Sequence, residues 1–196
     1  MKRAGALKNS RRRRPEPALI GLGSNLGEKL GNIARAVHAL RALKGVRVTA
    51  LSSIYLTSPV GSRRQPCFYN AAARVSTTLP PARLLARMKA IEKDLGRRRS
   101  WKGGPRIIDL DLLLHGSRIV KNRGVIVPHP RMHERAFVLL PCAEIAGGMF
   151  HPTTRMTIRR MAALSSGEGN VLKLKRGVQN LFRKSASRSG RSGEAS

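Results

Sequence analysis

The chain has 196 residues, 41% of them hydrophobic, which suffices for one compact domain with a real core. Against 39 Lys and Arg stand 10 Asp and Glu, a net charge of +29 that favours polyanionic partners: nucleic acid, nucleotides or phosphorylated metabolites. No apolar run reaches the roughly 18 residues of a membrane-spanning helix, and the two cysteines, Cys67 and Cys142, sit in no CxxC or metal spacing, so they read as ordinary thiols in a reducing, cytoplasmic setting.

The N-terminal MKRAGALKNSRRRRPEP is charged without an apolar stretch, unlike a secretory signal. Its Arg-rich, nearly acid-free composition also suits an organellar transit peptide, but the simpler reading is a disordered basic extension over 1–16. One domain is expected over 17–165. ALIGLG (18–23) reads as a short strand running into a Gly/Ser/Asn turn. Leu26, Leu30, Ile33, Val37 and Leu40 then recur at helical spacing, with Gly45 as a stop. VRVTALSSIYL (46–56) and FYNAAARVSTTL (68–79) alternate as strands. PPARLLARMKAIEKDLG predicts a helix that opens on proline and carries Leu84, Leu85, Met88, Ile91 and Leu95 on one stripe. RIIDLDLLLHG is a strand, SRIVKNRGVIVP a hairpin candidate, and RMHERAFVLLPCAEIAG a helical segment broken around Pro141. Residues 166–196, ending SASRSGRSGEAS, read as a disordered basic Ser/Gly/Arg-rich tail.

This order is βαββαβ with additions, an α/β (α+β plait) of ferredoxin-like type. It predicts a mainly antiparallel sheet with helices on one face and the active site on the other.

The chemistry concentrates in GPRIIDLDLLLHG (104–116). Asp109 and Asp111 are two of only three Asp in the chain. In a strand they share a face with Ile107 and Leu113, while Ile108, Leu110, Leu112 and Leu114 point the other way, toward the helices. Two carboxylates side by side need a cation, a shared proton or open water. One reading is a solvent-facing pair balanced by arginines; the sharper one is a Mg²⁺ site completed by substrate phosphates. Just upstream, GRRRSWKGGPR (96–106) brings Arg97, Arg98, Arg99, Lys102 and Arg106 onto a glycine-rich loop, which suits neutralisation of phosphate charge or a merely solvated charge run. GLGSNLGEK (21–29) is neither a P-loop nor GxGxxG. In QPCFYN (65–70), Phe68 and Asn70 share a strand face, as suits a flat heterocycle or a core Phe beside a capping Asn. VPHPRMHERAF (127–137) gathers His129, Arg131, His133 and Arg135 at a turn, for phosphate contact or as plain surface charge.

ALIGLGSNLG, SSIYLTSPVG, QPCFYNAA, GPRIIDLDLLLHG and VPHPRMHERAFVLLPCAEIA, in this order, closely resemble the 6-hydroxymethyl-7,8-dihydropterin pyrophosphokinases of folate synthesis over about 17–153. The resemblance implies a ferredoxin-like fold and transfer of diphosphate from ATP to the pterin hydroxymethyl group, releasing AMP. It implies two Mg²⁺ ions at Asp109 and Asp111 and catalytic arginines at Arg97 and Arg106. Glu92, Arg99, Leu112, His129 and Arg135 fall in its ATP-binding stretches. Thr57, Ser58, Val60, Phe68, Asn70 and Phe137 fall in its pterin pocket, with the two rings sandwiching the pterin and Asn70 reading its edge. The expected partners are ATP and the hydroxymethyl-dihydropterin, the expected state a cytoplasmic monomer without membrane contact, and nucleic acid is left to the basic tails. The sequence departs from the family pattern where Gly103 stands in place of a Trp before GPR, with Trp101 two residues earlier, and where Cys67 replaces an acid. Two other classes compete: a nucleic-acid-binding module on the same fold, disfavoured by only 4% aromatic residues, and another DxD-type nucleotidyl or glycosyl transferase with a non-pterin acceptor.

Overall fold

The computed structural model describes residues 13–59, 65–97, 104–165 and 170–177. Strand β1 (Glu16–Ser24) carries Ala18, Leu19, Ile20 and Leu22, all buried, because it lies inside the sheet with apolar layers on both faces. Helix α1 (Lys29–Ala42) turns Ile33, Ala36, Val37 and Leu40 onto the sheet. The predicted strand 46–56 is two strands, β2 (Val46–Leu51) and β3 (Ser53–Thr57), parted at Ser52. Ser52 donates its N–H to the Ala72 carbonyl at 2.9 Å, and its Oγ accepts the Ala72 N–H at 2.8 Å, so a side chain replaces one rung of the ladder. Strand β4 (Phe68–Thr77) pairs with β1 along its length and with β2 and β3 at its two ends. Helix α2 (Pro81–Asp94) opens on Pro81 and stops before Gly96, whose φ of 89° favours glycine. Strand β5 (Asp109–His115) closes the other flank of β1.

The strands run in the order β5-β1-β4-β3, all antiparallel, which is the ferredoxin-like plait read from the sequence. Both core helices lie on one face, where Ile33, Leu40, Leu84 and Met88 meet Ile20, Leu22, Leu110 and Leu112. Full burial of each such side chain contributes about 1.5–3 kcal/mol.

The additions change the picture at four places. The hairpin β6 (Val120–Asn122) and β7 (Val125–Val127) forms a separate two-stranded sheet. The helical segment does not break at Pro141: α3 (Ala136–Ala146) runs through it, with one rung missing because proline has no N–H to give the Phe137 carbonyl. With α4 (Ile158–Leu164), α3 packs on the second sheet face against Leu19, Ala72, Leu113 and Leu114. The tail expected to be disordered from 166 contains β8 (Val171–Gly177), which pairs with β3 and widens the main sheet. Glu144 of α3 ties these parts together. Its carboxylate accepts from Ser53 N and Oγ (3.1 and 2.8 Å) and from the Tyr55 hydroxyl (3.0 Å), and it lies 3.5 Å from Lys173.

The strand parity of β5 also needs correcting. Its register with β1 shifts between Leu19 and Ile20, so a bulge forms at Leu113. Leu110 and Leu112 face α1 and α2 as expected, but Leu114 turns to the α3 side with Leu113.

The cysteines differ in access. Cys142 is fully buried, and burial pushes its thiol up to about 12, whereas Cys67 is half-buried. The folded protein is therefore expected to react at one thiol, Cys67, with an aromatic disulfide reagent at pH 8, and at both only in denaturant. Counting released thiolate under each condition checks this.

Candidate active site

A cleft of about 560 Å³ opens at the end of the sheet that α3 leaves uncovered. One wall, at β5, is anionic and cationic at once, carrying Asp109, Asp111 and Arg106; the other, at β3 and β4, holds Thr57, Ser58, Phe68 and Asn70; Arg135 and Phe137 come in from the start of α3. Gly21 and Gly23 of β1 form the floor between them. Register explains the meeting: Gly23 lies opposite Asn70 on β4 and opposite Asp109 on β5. A Cβ on Gly23 would sit 3.2 Å from Asn70 Oδ1, so any side chain there pushes the Asn70 amide aside.

The two aspartates have different electrostatic lives. Asp109 Oδ1 accepts from Arg97 Nη1 at 2.5 Å, and Oδ2 pairs with Arg106 Nη1. Burial tends to raise its pKa, but Arg106, Arg97 and Lys89 prevail and hold it below the ordinary carboxylate value. Asp111 makes no ion pair among the described residues. Burial and the neighbouring Asp109 raise its pKa, against the opposing pull of His129, Lys89 and Arg135. It is the carboxylate in need of a cation. Among the described residues no three His, Cys, Asp or Glu side chains converge as a metal cage. A hard cation held here takes only these oxygens from the chain and the rest from phosphate and water, which suits Mg²⁺.

Of the residues singled out from the sequence, Thr57, Ser58, Phe68, Asn70, Arg106, Asp109, Asp111, Arg135 and Phe137 line the cleft. Arg97 joins it by its ion pair with Asp109. His129 stands close enough to Asp111 to act on it electrostatically, while burial and Arg135 and Arg131 keep the imidazole below its ordinary pKa. Val60 and Arg99, like Trp101 and Gly103, lie outside the described residues.

Glu92 and Leu112 do not line the cleft with their side chains. Glu92 is 2% exposed on the buried stripe of α2, so it does not reach the cleft itself. Its Oε1 accepts from Lys89 (2.9 Å), Arg97 (2.5 Å) and the Leu110 N–H (2.6 Å), which makes it a support for Arg97 and for β5. The Leu112 side chain is buried against the core helices, not in the cleft. Only its peptide edge faces outward. Leu110 points its N–H to Glu92 and its C=O to Lys89, away from β1, and strand alternation gives Leu112 the same free edge. The next carbonyl, that of Leu113, accepts the His129 N–H at 2.9 Å.

Gly21, Gly23, Gln65 and Glu134 also line the cleft, while Asn25 and Lys89 meet it through Arg106 and Glu92; the sequence motifs assign none of these a role in binding. For Gly21 and Gly23 the available signal was the parity of ALIGLG, which places both on the face opposite Ile20 and Leu22. Asn25 and Lys89 gave no local signal, because each meets the site across the fold. Asn70 is fixed from β3: its Nδ2 donates to Thr57 Oγ1 at 2.7 Å, and both residues are buried. The Arg135 guanidinium stands 5.6 Å from the centroid of the Phe137 ring, giving that ring a cationic neighbour at the helix start.

A family model described as 7,8-dihydro-6-hydroxymethylpterin-pyrophosphokinase (HPPK) matches residues 19–147. The chain is 42% identical over 143 residues to the folic acid synthesis protein fol1 of Pneumocystis carinii, covering 73% of this chain but only 19% of that longer protein. It is 47% identical over 128 residues to the 2-amino-4-hydroxy-6-hydroxymethyldihydropteridine pyrophosphokinase of Bacillus subtilis, covering 65% of this chain and 77% of that one. In fold it resembles the crystal structure of wild-type Plasmodium falciparum HPPK-DHPS, with a TM-score of 0.61 at 15% identity over 79% of this chain and 45% of the other.

Proposed function

The chain belongs to the 7,8-dihydro-6-hydroxymethylpterin-pyrophosphokinase family, and from that premise we propose that it transfers diphosphate from ATP to the hydroxymethyl group of 6-hydroxymethyl-7,8-dihydropterin, releasing AMP. The observation that carries this reading is the pairing of walls in one cleft: a carboxylate and guanidinium wall suited to a triphosphate, facing Asn70, Thr57 and Phe68, which together with Phe137 suit a flat heterocycle.

On this reading Asn70 hydrogen-bonds the pterin edge while Phe68 and Phe137 contact its ring faces. Such a grip orients the hydroxymethyl oxygen toward the β-phosphorus, and positioning of this kind supplies much of the rate in phosphoryl transfer. Arg97 and Arg106 each have five N–H donors and spend few of them on carboxylates, so donors remain for phosphate oxygens as charge shifts to the leaving AMP. The outward peptide edge of Leu112 offers a donor and an acceptor to an adenine, with His129 and Arg135 nearby for phosphate. Asp109 and Asp111 would hold Mg²⁺, two ions in our reading, which when bound supplies Lewis-acid neutralisation of the phosphates. We take the working unit as a monomer. We place its activity in the cytoplasm; no described helix is long and apolar enough to cross a membrane.

An assay coupled to AMP tests the proposal. AMP is expected from ATP only when the hydroxymethyl-dihydropterin is present, with loss of signal on chelation of divalent cations. ADP as the product overturns it, as does turnover independent of the pterin.

A further inference from the structure

Asn25 is 1% exposed, and its amide bonds two distant chain segments at once. Its Oδ1 accepts the Arg106 N–H at 2.7 Å, and its own N–H donates to the Arg106 carbonyl at 3.1 Å. These two bonds hold Arg106 by its backbone as a strand partner would, just ahead of β5 where no ladder reaches. From the same amide, Nδ2 points to Gln65 Oε1 at 3.4 Å and to the Pro66 carbonyl at 3.5 Å, on the segment that enters β4 and leads to Phe68 and Asn70. The turn carrying Asn25 is itself fixed, because Asn32 Nδ2 donates to Ser24 Oγ at 3.2 Å and to the Leu26 carbonyl at 2.9 Å.

Resting on the functional reading above, we infer that Asn25 is a positioning residue that clasps the arginine of the phosphate wall to the loop of the acceptor wall. Its Oδ1 sets where the Arg106 guanidinium stands, beside Asp109, and its Nδ2 sets the width of the acceptor pocket at Gln65. The two halves of one amide therefore serve two kinetic quantities. The Arg106 half governs turnover, because a guanidinium displaced by a fraction of an ångström no longer meets the developing charge. The Gln65 half governs acceptor binding.

Steady-state kinetics on the full chain, with ATP and pterin varied separately and thermal unfolding followed in parallel, separate these roles. Asn25→Ala is expected to lower kcat by roughly tenfold or more and raise the pterin KM at least about threefold, with the ATP KM little changed. Asn25→Asp keeps the acceptor for the Arg106 N–H but loses the donor to Gln65. It is expected to restore kcat to within about threefold of the parent while leaving the pterin KM raised, as Gln65→Ala also does. Equal kcat loss in the Ala and Asp variants overturns the inference, as does parental behaviour of Asn25→Ala. If Asn25→Ala does not fold, the other two variants decide: a raised pterin KM at near-parental kcat in both supports the clasp, and any other pattern overturns it. A parent chain that forms no AMP removes the functional reading itself, which is established before any variant is compared.

Discussion

Asp109→Asn and Asp111→Asn are each expected to lower kcat by at least about a hundredfold, while only Asp109→Asn costs stability. Asp109 neutralises two guanidinium groups, Arg97 at 2.5 Å and Arg106. Removing its charge leaves those cations facing each other in a half-buried site, at a cost of about 2–3 kcal/mol. Among the described residues Asp111 has no such partner, and its neighbour Asp109 repels it. Its neutral, isosteric replacement is expected to leave stability unchanged or raise it slightly. Burial and Asp109 raise the pKa of Asp111, so the native chain holds that proton more tightly than the unfolded chain does. Stability from this group is thus greatest below the unfolded carboxylate range and falls as pH rises through the folded pKa. The advantage of Asp111→Asn should appear at pH 8 and vanish at pH 4. Thermal unfolding in chelator at both pH values, beside single-turnover kinetics at saturating Mg²⁺, makes the comparison. A stability loss in Asp111→Asn matching that of Asp109→Asn, or near-parental turnover in either, contradicts this account.

What made these aspartates stand out in the sequence was local. A period of two along IIDLDLLL separates polar from apolar faces, and Ile108 through Leu113 obey it. Leu114 escapes because a bulge is a property of two strands, set by how β1 registers against β5. The same limit hid the floor of the cleft. Gly23 matters because Asn70 and Asp109 flank it, and that neighbourhood exists only once three strands are in register. Glu92 reads as a charged helix residue, yet the α2 stripe buries it and a strand N–H, a lysine and an arginine converge on one of its oxygens. Pro141 reads as a helix stop, but tertiary packing of α3 on Leu19 and Leu113 outweighs the single lost rung. Strand β8 lies in a basic tail of low hydrophobicity, and it forms by pairing with the edge of β3. In each case the deciding partner is distant in sequence.

Asn70→Ala is expected to reduce kcat/KM for the pterin by roughly a hundredfold or more. The estimate follows from two lost hydrogen bonds of about 1.5 kcal/mol each, at 1.4 kcal/mol per tenfold. The value of this amide lies in its being held still. Thr57 Oγ1 accepts one of its Nδ2 protons at 2.7 Å, which leaves Oδ1 and the second N–H directed together as one acceptor and one donor. Oδ1 stands just above Gly23, where an added Cβ would come within 3.2 Å. A methyl at Gly23 displaces the amide without removing it, so Gly23→Ala is expected to weaken pterin binding by roughly tenfold. Thr57→Val keeps the volume but removes the hydroxyl, freeing the amide to rotate, with an effect between the other two. Calorimetric titration of the pterin in the presence of a non-hydrolysable ATP analogue gives the affinities directly. The ordering Asn70→Ala, then Thr57→Val, then Gly23→Ala, at unchanged ATP affinity, is what a fixed donor and acceptor pair requires. A pterin affinity indifferent to Asn70 but lost on Phe68→Ala and Phe137→Ala would instead assign the pocket's selectivity to ring contact alone.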